Sequence, residues 1–258
     1  MDLVKSTDTR YEIYEALLLE RDQVRKEAGQ IWTAYMGLFG HLITRIYEEK
    51  VECVKHKKAL SYCQMAINRG GKLNSAELQA YLEEEMAAYQ ANLEQLLKDY
   101  DACKNAGLST AYEVQRSKTL YRRLAKKLHP DINPETAKNE TLKELWQRVM
   151  TAYAHNDVKE LAELEVLVGK VLREIGAGEI RIDIPDIEEK IDALREEIEK
   201  IRSTEPYTYK ELTNSQEKTD EKLLALESEL ETYRKYRGEL EQALQEMLDS
   251  GRITIDGK

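Results

Sequence analysis

A histidine, a proline and an aspartate stand side by side where a basic helical pattern ends. The run 120–134 reads LYRRLAKKLHPDINP and contains His129, Pro130 and Asp131. Proline has no N–H and its ring disfavours the helical conformation of the residue before it, so the helix should end near His129. We therefore predict a stiffened, solvent-facing corner, prolonged by Asn133, that displays an imidazole and a carboxylate to another protein.

The helix that leads to this corner is basic on one face. Its cations are Arg116, Lys118, Arg122, Arg123, Lys126 and Lys127, with Glu113 as the only acid, and its apolar face holds Leu120, Tyr121, Leu124 and Leu128. Six cations on one helix can steer association with an acidic surface, and the effect weakens as salt is added. The pattern therefore favours a protein partner that carries negative charge.

A second amphipathic helix is predicted after the loop. Its apolar side chains recur at the spacing of one helical face, and they are Leu142, Leu145, Trp146, Val149, Ala152 and Tyr153. The two helices should pack antiparallel, with the His-Pro-Asp tripeptide in their connection. A further helix, capped by Asp157 with Glu160, should end at Gly176.

This arrangement resembles the J-domain of the DnaJ co-chaperones, over about residues 109–175. The matching positions are Tyr121, Arg122, Arg123, Leu124 and Ala125 before the loop, His129, Pro130, Asp131, Asn133 and Pro134 in it, and Trp146, Val149, Ala152 and Tyr153 after it. A lone tripeptide would be a weak signal. The same tripeptide between a basic helix and a helix with this apolar pattern is a strong one.

The resemblance implies a partner, a DnaK-type ATPase chaperone whose ATP hydrolysis a J-domain stimulates. Asp131 would pair with an arginine of that chaperone through a charge-assisted hydrogen bond, and His129 would hold the loop and touch the partner rather than transfer a proton. The predicted partner-binding residues are His129, Pro130, Asp131, Asn133, Arg116, Arg122, Arg123, Lys126 and Lys127.

The chain also departs from the family pattern. The usual first helix, which opens with an aromatic residue and closes in a Leu-Gly turn, is not evident before Tyr112. One candidate to replace it in packing is the end of the preceding helical pattern, residues 96–105. The Gly/Phe-rich region, the Cys-rich zinc module and the β-rich client-binding domains of full DnaJ proteins are not found, so client delivery of the usual kind is not expected.

Long helical patterns flank this module, and we predict an all-α chain with domains at 1–108, 109–176 and 177–258. The first segment shows a seven-residue repeat with two apolar positions in each repeat. The apolar residues are Tyr14, Leu17, Val24, Ala28, Ile31, Tyr35, Leu38 and Leu42, and Arg21 and Arg45 interrupt the pattern. Gly37 and Gly40 should weaken this helix, kink it or admit a close neighbour. After Gly70 and Gly71 a second helix should fold back as an antiparallel hairpin.

The last segment is predicted to form an antiparallel coiled-coil hairpin. Its two seams run over residues 187–201 and 223–248. The segments 179–184 and 252–256 alternate apolar and polar residues and are predicted to pair as a small two-stranded β-ribbon at the hairpin base. A frayed tail is the alternative for 252–256.

Composition excludes several classes of function. The net charge of −10 argues against a nucleic-acid binder, and no Gly-rich phosphate loop, HExxH, GxSxG or metal-spaced Cys pair is found. We therefore predict no enzyme activity, catalytic residue, metal or cofactor. We expect the longest uncharged run, 28–44, to form a helix buried in the protein core, and the cysteines to be buried side chains of helices. Residues 1–12 lack the apolar core of a signal peptide. A cytoplasmic protein without a membrane segment is the expectation.

Two functions remain open at this level. One is a J-domain co-chaperone whose helical hairpins add targeting, dimerisation or client contact. The other is a structural adaptor that uses a J-like fold for assembly without stimulating an ATPase. The heptad seams could close within each hairpin or between chains, so a homo-oligomer stays open as well.

Overall fold

The computed structural model describes residues 9–105, 109–175, 186–251 and 254–256, and the predicted all-α class is confirmed there. The elements are α1 (Thr9–Asn68), β1 (Lys72–Asn74), α2 (Ser75–Asn105), α3 (Ala111–Leu128), α4 (Glu135–Lys138), α5 (Glu140–Ala154), α6 (Val158–Glu174), α7 (Ile187–Ser203), a 3-10 turn (Tyr207–Tyr209), α8 (Lys210–Asn214), α9 (Gln216–Asp249) and β2 (Thr254–Asp256).

The chain divides into two compact units, and neither is continuous in sequence. The first unit comprises Met1–Gln30 and Gly107–Thr208, and the second comprises Ile31–Ala106 and Tyr209–Lys258. Helix α1 contributes its first part to one unit and its remainder to the other. The three consecutive domains predicted from the sequence therefore differ from the observed division.

The centre of the first unit is built by α3, α5 and α6. Its buried side chains are Leu120, Tyr121, Leu124, Ala125, Leu128, Leu142, Leu145, Val149, Ala152, Tyr153, Leu161, Leu164 and Val168. Tyr121 stacks on Tyr153 with ring centroids 3.9 Å apart, and His129 meets Trp146 edge-on. Because Tyr121 contacts Tyr153 and the later His129 contacts the earlier Trp146, α3 and α5 pack antiparallel, as predicted.

The first part of α1 packs on this unit together with α7. Tyr11, Tyr14 and Leu18 share a core with Ile187, Ile191 and Leu194, and Ile132 of the His-Pro-Asp loop is buried among them. Residues 96–105 were a candidate for this place, and that expectation is wrong. Leu96, Tyr100 and Cys103 pack on the core of the second unit.

In the second unit α2 and α9 lie along the remainder of α1. Gly40 contacts Tyr100 and Lys58 pairs with Glu85, so α2 runs antiparallel to α1. Lys50 pairs with Glu229, and His56 lies 3.7 Å from a carboxylate farther along α9, that of Glu241. Helix α9 therefore runs parallel to α1.

The predicted coiled-coil hairpin of the last segment is wrong. The seam of α7 is buried against the first part of α1. Leu226 and Leu230 of α9 are buried against Tyr35, Met36 and Phe39 in the second unit. A heptad repeat identifies the residues of a seam but not the helix that covers it.

The predicted β-ribbon also differs from the observed pairing. Strand β2 pairs in parallel with β1, in the register Lys72↔Thr254, Leu73↔Ile255 and Asn74↔Asp256. The other predicted partner, 179–184, and residues 252–253 lie outside the described residues. The residues beyond α9 thus pair with the connection between α1 and α2.

Gly40 provides a close approach between α1 and α2, and we predict that Gly40→Ala destabilises the second unit by about 1–3 kcal/mol, the usual cost of overpacking. An added Cβ would clash with the ring of Tyr100. Gly37→Ala is the matched control, because no atom lies within 4 Å of its added Cβ, and alanine in a helix gains about 0.5–1 kcal/mol over glycine. Urea unfolding measures the free energy of unfolding of each variant against that of the wild type. A similar gain in stability for both variants would contradict this packing.

Candidate functional site: the His-Pro-Asp loop and the helices around it

Helix α3 has well-defined ends that set the position of the loop. Thr110 and Glu113 form a capping box, in which the Thr110 N–H donates to Oε2 of Glu113 at 2.7 Å. At the other end His129 is the C-cap, and its N–H donates to the carbonyl of Ala125 at 2.8 Å. The predicted helix end near His129 is therefore confirmed.

The loop is closed on itself by Asn133. Its side-chain amide donates to the carbonyl of Lys127 at 2.8 Å, and its Oδ1 accepts the N–H of Glu135 at 3.1 Å. The N–H of Asn133 also donates to the carbonyl of His129 at 2.7 Å. Asn133 is fully buried, so its expected place on the partner surface is wrong. It shapes the loop from inside.

The imidazole of His129 is buried rather than displayed. Its side chain is 5% exposed, whereas that of Asp131 is 48% exposed. The ring lies edge-on to Trp146 with centroids 5.0 Å apart, and its Nδ1 accepts the backbone N–H of Asp131 at 3.1 Å. The prediction of a solvent-facing imidazole beside a solvent-facing carboxylate is therefore wrong for the imidazole. Asp131 is exposed, Pro130 is half-buried, and the buried ring of His129 binds the backbone of Asp131.

A buried ion pair of α1 lies behind His129. Arg21 donates from Nε and Nη2 to Oδ1 of Asp22, at 3.1 Å and 2.9 Å, and the Tyr121 hydroxyl donates to Oδ2 of Asp22. The Nε2 atom of His129 lies 3.2 Å from Nη2 of Arg21 and 3.7 Å from Oδ2 of Asp22. The sequence pattern did not identify these two residues, and the only signal was the lapse of the heptad at Arg21.

This environment keeps the histidine neutral at pH 7. Burial lowers the pKa of His129 below its usual 6.5 and outweighs the carboxylates of Asp22 and Asp131, which raise that pKa, while the Arg21 charge lowers it further. Burial, with Asp22 beside the phenol, also raises the pKa of Tyr121 well above 10. The phenol therefore stays a hydrogen-bond donor.

A second buried cation of α1, Lys26, lies farther from the loop. Its Nζ donates to Oδ1 of Asn156 at 2.5 Å and to Oγ of Ser117 at 3.3 Å, and it lies 3.7 Å from the centroid of the Tyr153 ring. These are neutral groups. Burial and the nearby charge of Lys118 lower the pKa of Lys26 to about 8.

The five cations of α3 that were predicted to bind a partner are exposed, whereas the sixth cation, Lys118, is half-buried. The five are not equivalent. Lys126 pairs with Glu15 of α1 at 2.7 Å, and Arg123 pairs with Glu165 of α6 at 3.1 Å. The other three, Arg116, Arg122 and Lys127, are exposed and form no ion pair within the described ranges. Positive charge that is free to meet another molecule therefore concentrates on these three side chains.

The described residues contain no group of three or more His, Cys, Asp or Glu side chains placed to hold a metal ion. None of the helices described is both long enough and apolar enough to cross a membrane. Cys53 and Cys63 are buried as expected, and Cys103 is half-buried, all three as free thiols.

Comparison with known proteins returned no match. No family model matches the chain, no curated protein is similar to it, and no solved structure matches its fold.

Proposed function

We propose that this chain is a J-domain-type co-chaperone that binds a DnaK-type ATPase chaperone and stimulates its ATP hydrolysis. The observation that carries the proposal is Asp131, an exposed carboxylate at the tip of a loop whose other polar side chains, His129 and Asn133, are buried and hydrogen-bonded. A carboxylate held in this way loses little entropy when an arginine binds it. The resemblance of the surrounding sequence to a J-domain supports this partner.

The basic face of α3 supplies the second part of the proposed contact. Arg122 and Lys127 are exposed on the helix that ends at the loop. Charges at the rim of an interface raise the association rate with an oppositely charged surface more than they raise the final affinity. The face would therefore capture the chaperone, and Asp131 would provide the specific contact.

We predict that the double variant Arg122→Glu and Lys127→Glu slows association with the DnaK-type chaperone of the same organism by about tenfold or more at low salt. The difference should shrink between roughly 0.05 M and 0.5 M salt, because the Debye length shortens. Surface plasmon resonance measures the association rates of the wild type and of the double variant at each salt concentration.

The matched control for this variant carries Lys143→Glu and Lys170→Glu. These lysines are also exposed in the first unit and give the same change in net charge, but they lie on α5 and α6. Equal slowing by both double variants would show that overall charge, not the face of α3, governs association.

Single-turnover ATP hydrolysis by the DnaK-type chaperone, with and without this chain, tests the proposal itself. Faster hydrolysis is the expected result. Its absence would reject the co-chaperone and leave the structural adaptor, which light scattering would then examine through the oligomeric state.

A further inference from the structure

The two ring nitrogens of His129 both face hydrogen-bond donors. Nδ1 lies 3.1 Å from the backbone nitrogen of Asp131, and Nε2 lies 3.2 Å from Nη2 of Arg21. A neutral imidazole has one acceptor nitrogen and one N–H, so it can accept from only one of these donors. The proton on the ring therefore decides whether the loop or the arginine is bound.

The carboxylate of Asp22 favours the proton on Nε2. Its Oδ2 lies 3.7 Å from that nitrogen, which is too far for a hydrogen bond but close enough for its negative charge to favour an N–H there. Oδ2 of Asp131 lies equally far from Nδ1. Because the side chain of Asp131 is 48% exposed and that of Asp22 is 1% exposed, solvent screens the charge of Asp131 more than that of Asp22. Oδ1 of Asp22 holds Arg21 through two hydrogen bonds, which gives the guanidinium a partner other than the ring. Tyr121 binds Oδ2 and fixes the carboxylate in this orientation.

We infer that Asp22 is a positioning residue for the His-Pro-Asp loop, because it holds the proton of His129 on Nε2 and so leaves Nδ1 to accept the N–H of Asp131. That hydrogen bond fixes the backbone from which the exposed Asp131 carboxylate projects. The consequence for a bound chaperone rests on the proposed function, whereas the state of the ring does not. The first part of α1 thereby belongs to the site, although Arg21 is 108 residues from His129.

Removal of the Asp22 charge should change the tautomer of His129. In Asp22→Asn the charge that holds Arg21 is gone, and the guanidinium turns to Nε2 as its acceptor. The ring proton then moves to Nδ1, and the N–H of Asp131 loses its hydrogen bond. The backbone at Asp131 thus loses one of the hydrogen bonds that fix the loop tip, whereas the bonds made by Asn133 and the contact of the His129 ring with Trp146 are retained.

Nitrogen-15 NMR of the histidine rings tests this inference without any partner. In the wild-type protein at pH 7.5, above the unperturbed pKa of about 6.5, His129 should show a protonated Nε2 and an unprotonated Nδ1. Asp22→Asn should show a large fraction with the proton on Nδ1. Glu20→Gln is the control, because Glu20 is an exposed acid on the same helix, paired with Arg202, and it should leave the ring unchanged. An unchanged tautomer in Asp22→Asn would overturn the inference.

Arg21→Gln serves as a second variant and decides the test if Asp22→Asn does not fold. Without the competing cation, Asp22 should pair more closely with the ring, so His129 should keep its proton on Nε2 and titrate at a higher pH than in the wild type. An NMR titration that shows no upward shift would overturn the inference.

The ATPase assay separates this inference from the proposed function. If the wild type stimulates hydrolysis, Asp22→Asn should stimulate on the order of tenfold less, since a small misplacement of a contact group is costly, and Glu20→Gln should match the wild type. Full stimulation by Asp22→Asn with an altered tautomer would overturn the positioning role. If the wild type does not stimulate, the proposed function fails and the NMR result alone decides the role of Asp22 in the loop.

Discussion

Asp22→Ala should destabilise the first unit by about 3–5 kcal/mol, the loss typical of breaking a buried ion pair from one side. The side chain of Asp22 is 1% exposed and that of Arg21 is 14% exposed. Removal of the carboxylate leaves the Arg21 guanidinium and the Tyr121 hydroxyl without their acceptor. A buried cation that is left with only the neutral ring of His129 as an acceptor is unfavourable, and about 3–5 kcal/mol is a large fraction of the roughly 5–15 kcal/mol by which native proteins are stable.

Glu20→Ala is the matched control for this prediction. It removes an acid two positions earlier in α1, where the ion pair with Arg202 is exposed, and such pairs contribute about 0–1 kcal/mol. Urea unfolding followed by tryptophan fluorescence measures both variants, in a Trp32→Phe background so that only Trp146 of the first unit reports. A loss below about 1 kcal/mol for Asp22→Ala would contradict a buried network at this position.

Lys26 should make the stability of the first unit depend on pH. Its pKa is lowered to about 8 in the folded protein, whereas an unperturbed lysine titrates near 10.4. Between these values the unfolded chain binds more protons than the folded one, so the free energy of unfolding rises with pH across this window. From pH 7 to pH 9.5 the contribution of Lys26 should be about 2 kcal/mol.

The comparison of Lys26→Met with Lys170→Met isolates this contribution. Lys170 is exposed on α6 and should leave the pH dependence unchanged. Buried phenols titrate as well, and their raised pKa values, about 12 for Tyr14, lower stability above pH 10, but they do so equally in both variants. Urea unfolding at pH 7 and pH 9.5 measures the difference. The same rise with pH in both variants would show that Lys26 is not the titrating group.

The local features of the site followed from the sequence. The 3.6-residue spacing of Leu120, Leu124 and Leu128 predicts one face of α3, and Pro130 predicts its end, because both depend on residues close in the chain. Asp131 was placed correctly at the exposed tip for the same reason. These features need no knowledge of what packs on the loop.

The buried surroundings of the loop did not follow from the sequence. Asp22 lies 99 residues before Tyr121, and nothing near either residue indicates that they meet. Charged residues at helical spacing are usually interpreted as solvent-exposed, so the sequence pattern shows Arg21 only as an interruption of the seven-residue repeat. His129 was expected at the surface because the part of α1 that covers it could not be identified from its own pattern.

The packing partners of the flanking helices could not be predicted from the sequence either. The heptad residues of α1, α7 and α9 predict apolar seams, and residues such as Ile191 and Leu226 are buried as seams should be. A seam does not specify its partner, so α7 and α9 were paired with each other rather than with separate parts of α1.

The most direct measurement is single-turnover ATP hydrolysis by the DnaK-type chaperone of the same organism, with wild-type chain, Asp131→Asn and Glu135→Gln. Glu135 is an exposed acid four residues after Asp131 and loses the same charge in its variant. We predict stimulation by the wild type and by Glu135→Gln. Asp131→Asn should lose about tenfold or more of the stimulation, since a hydrogen bond to a charged group contributes about 1.5–3 kcal/mol. No stimulation by the wild type, or equal stimulation by all three proteins, would contradict the proposed function.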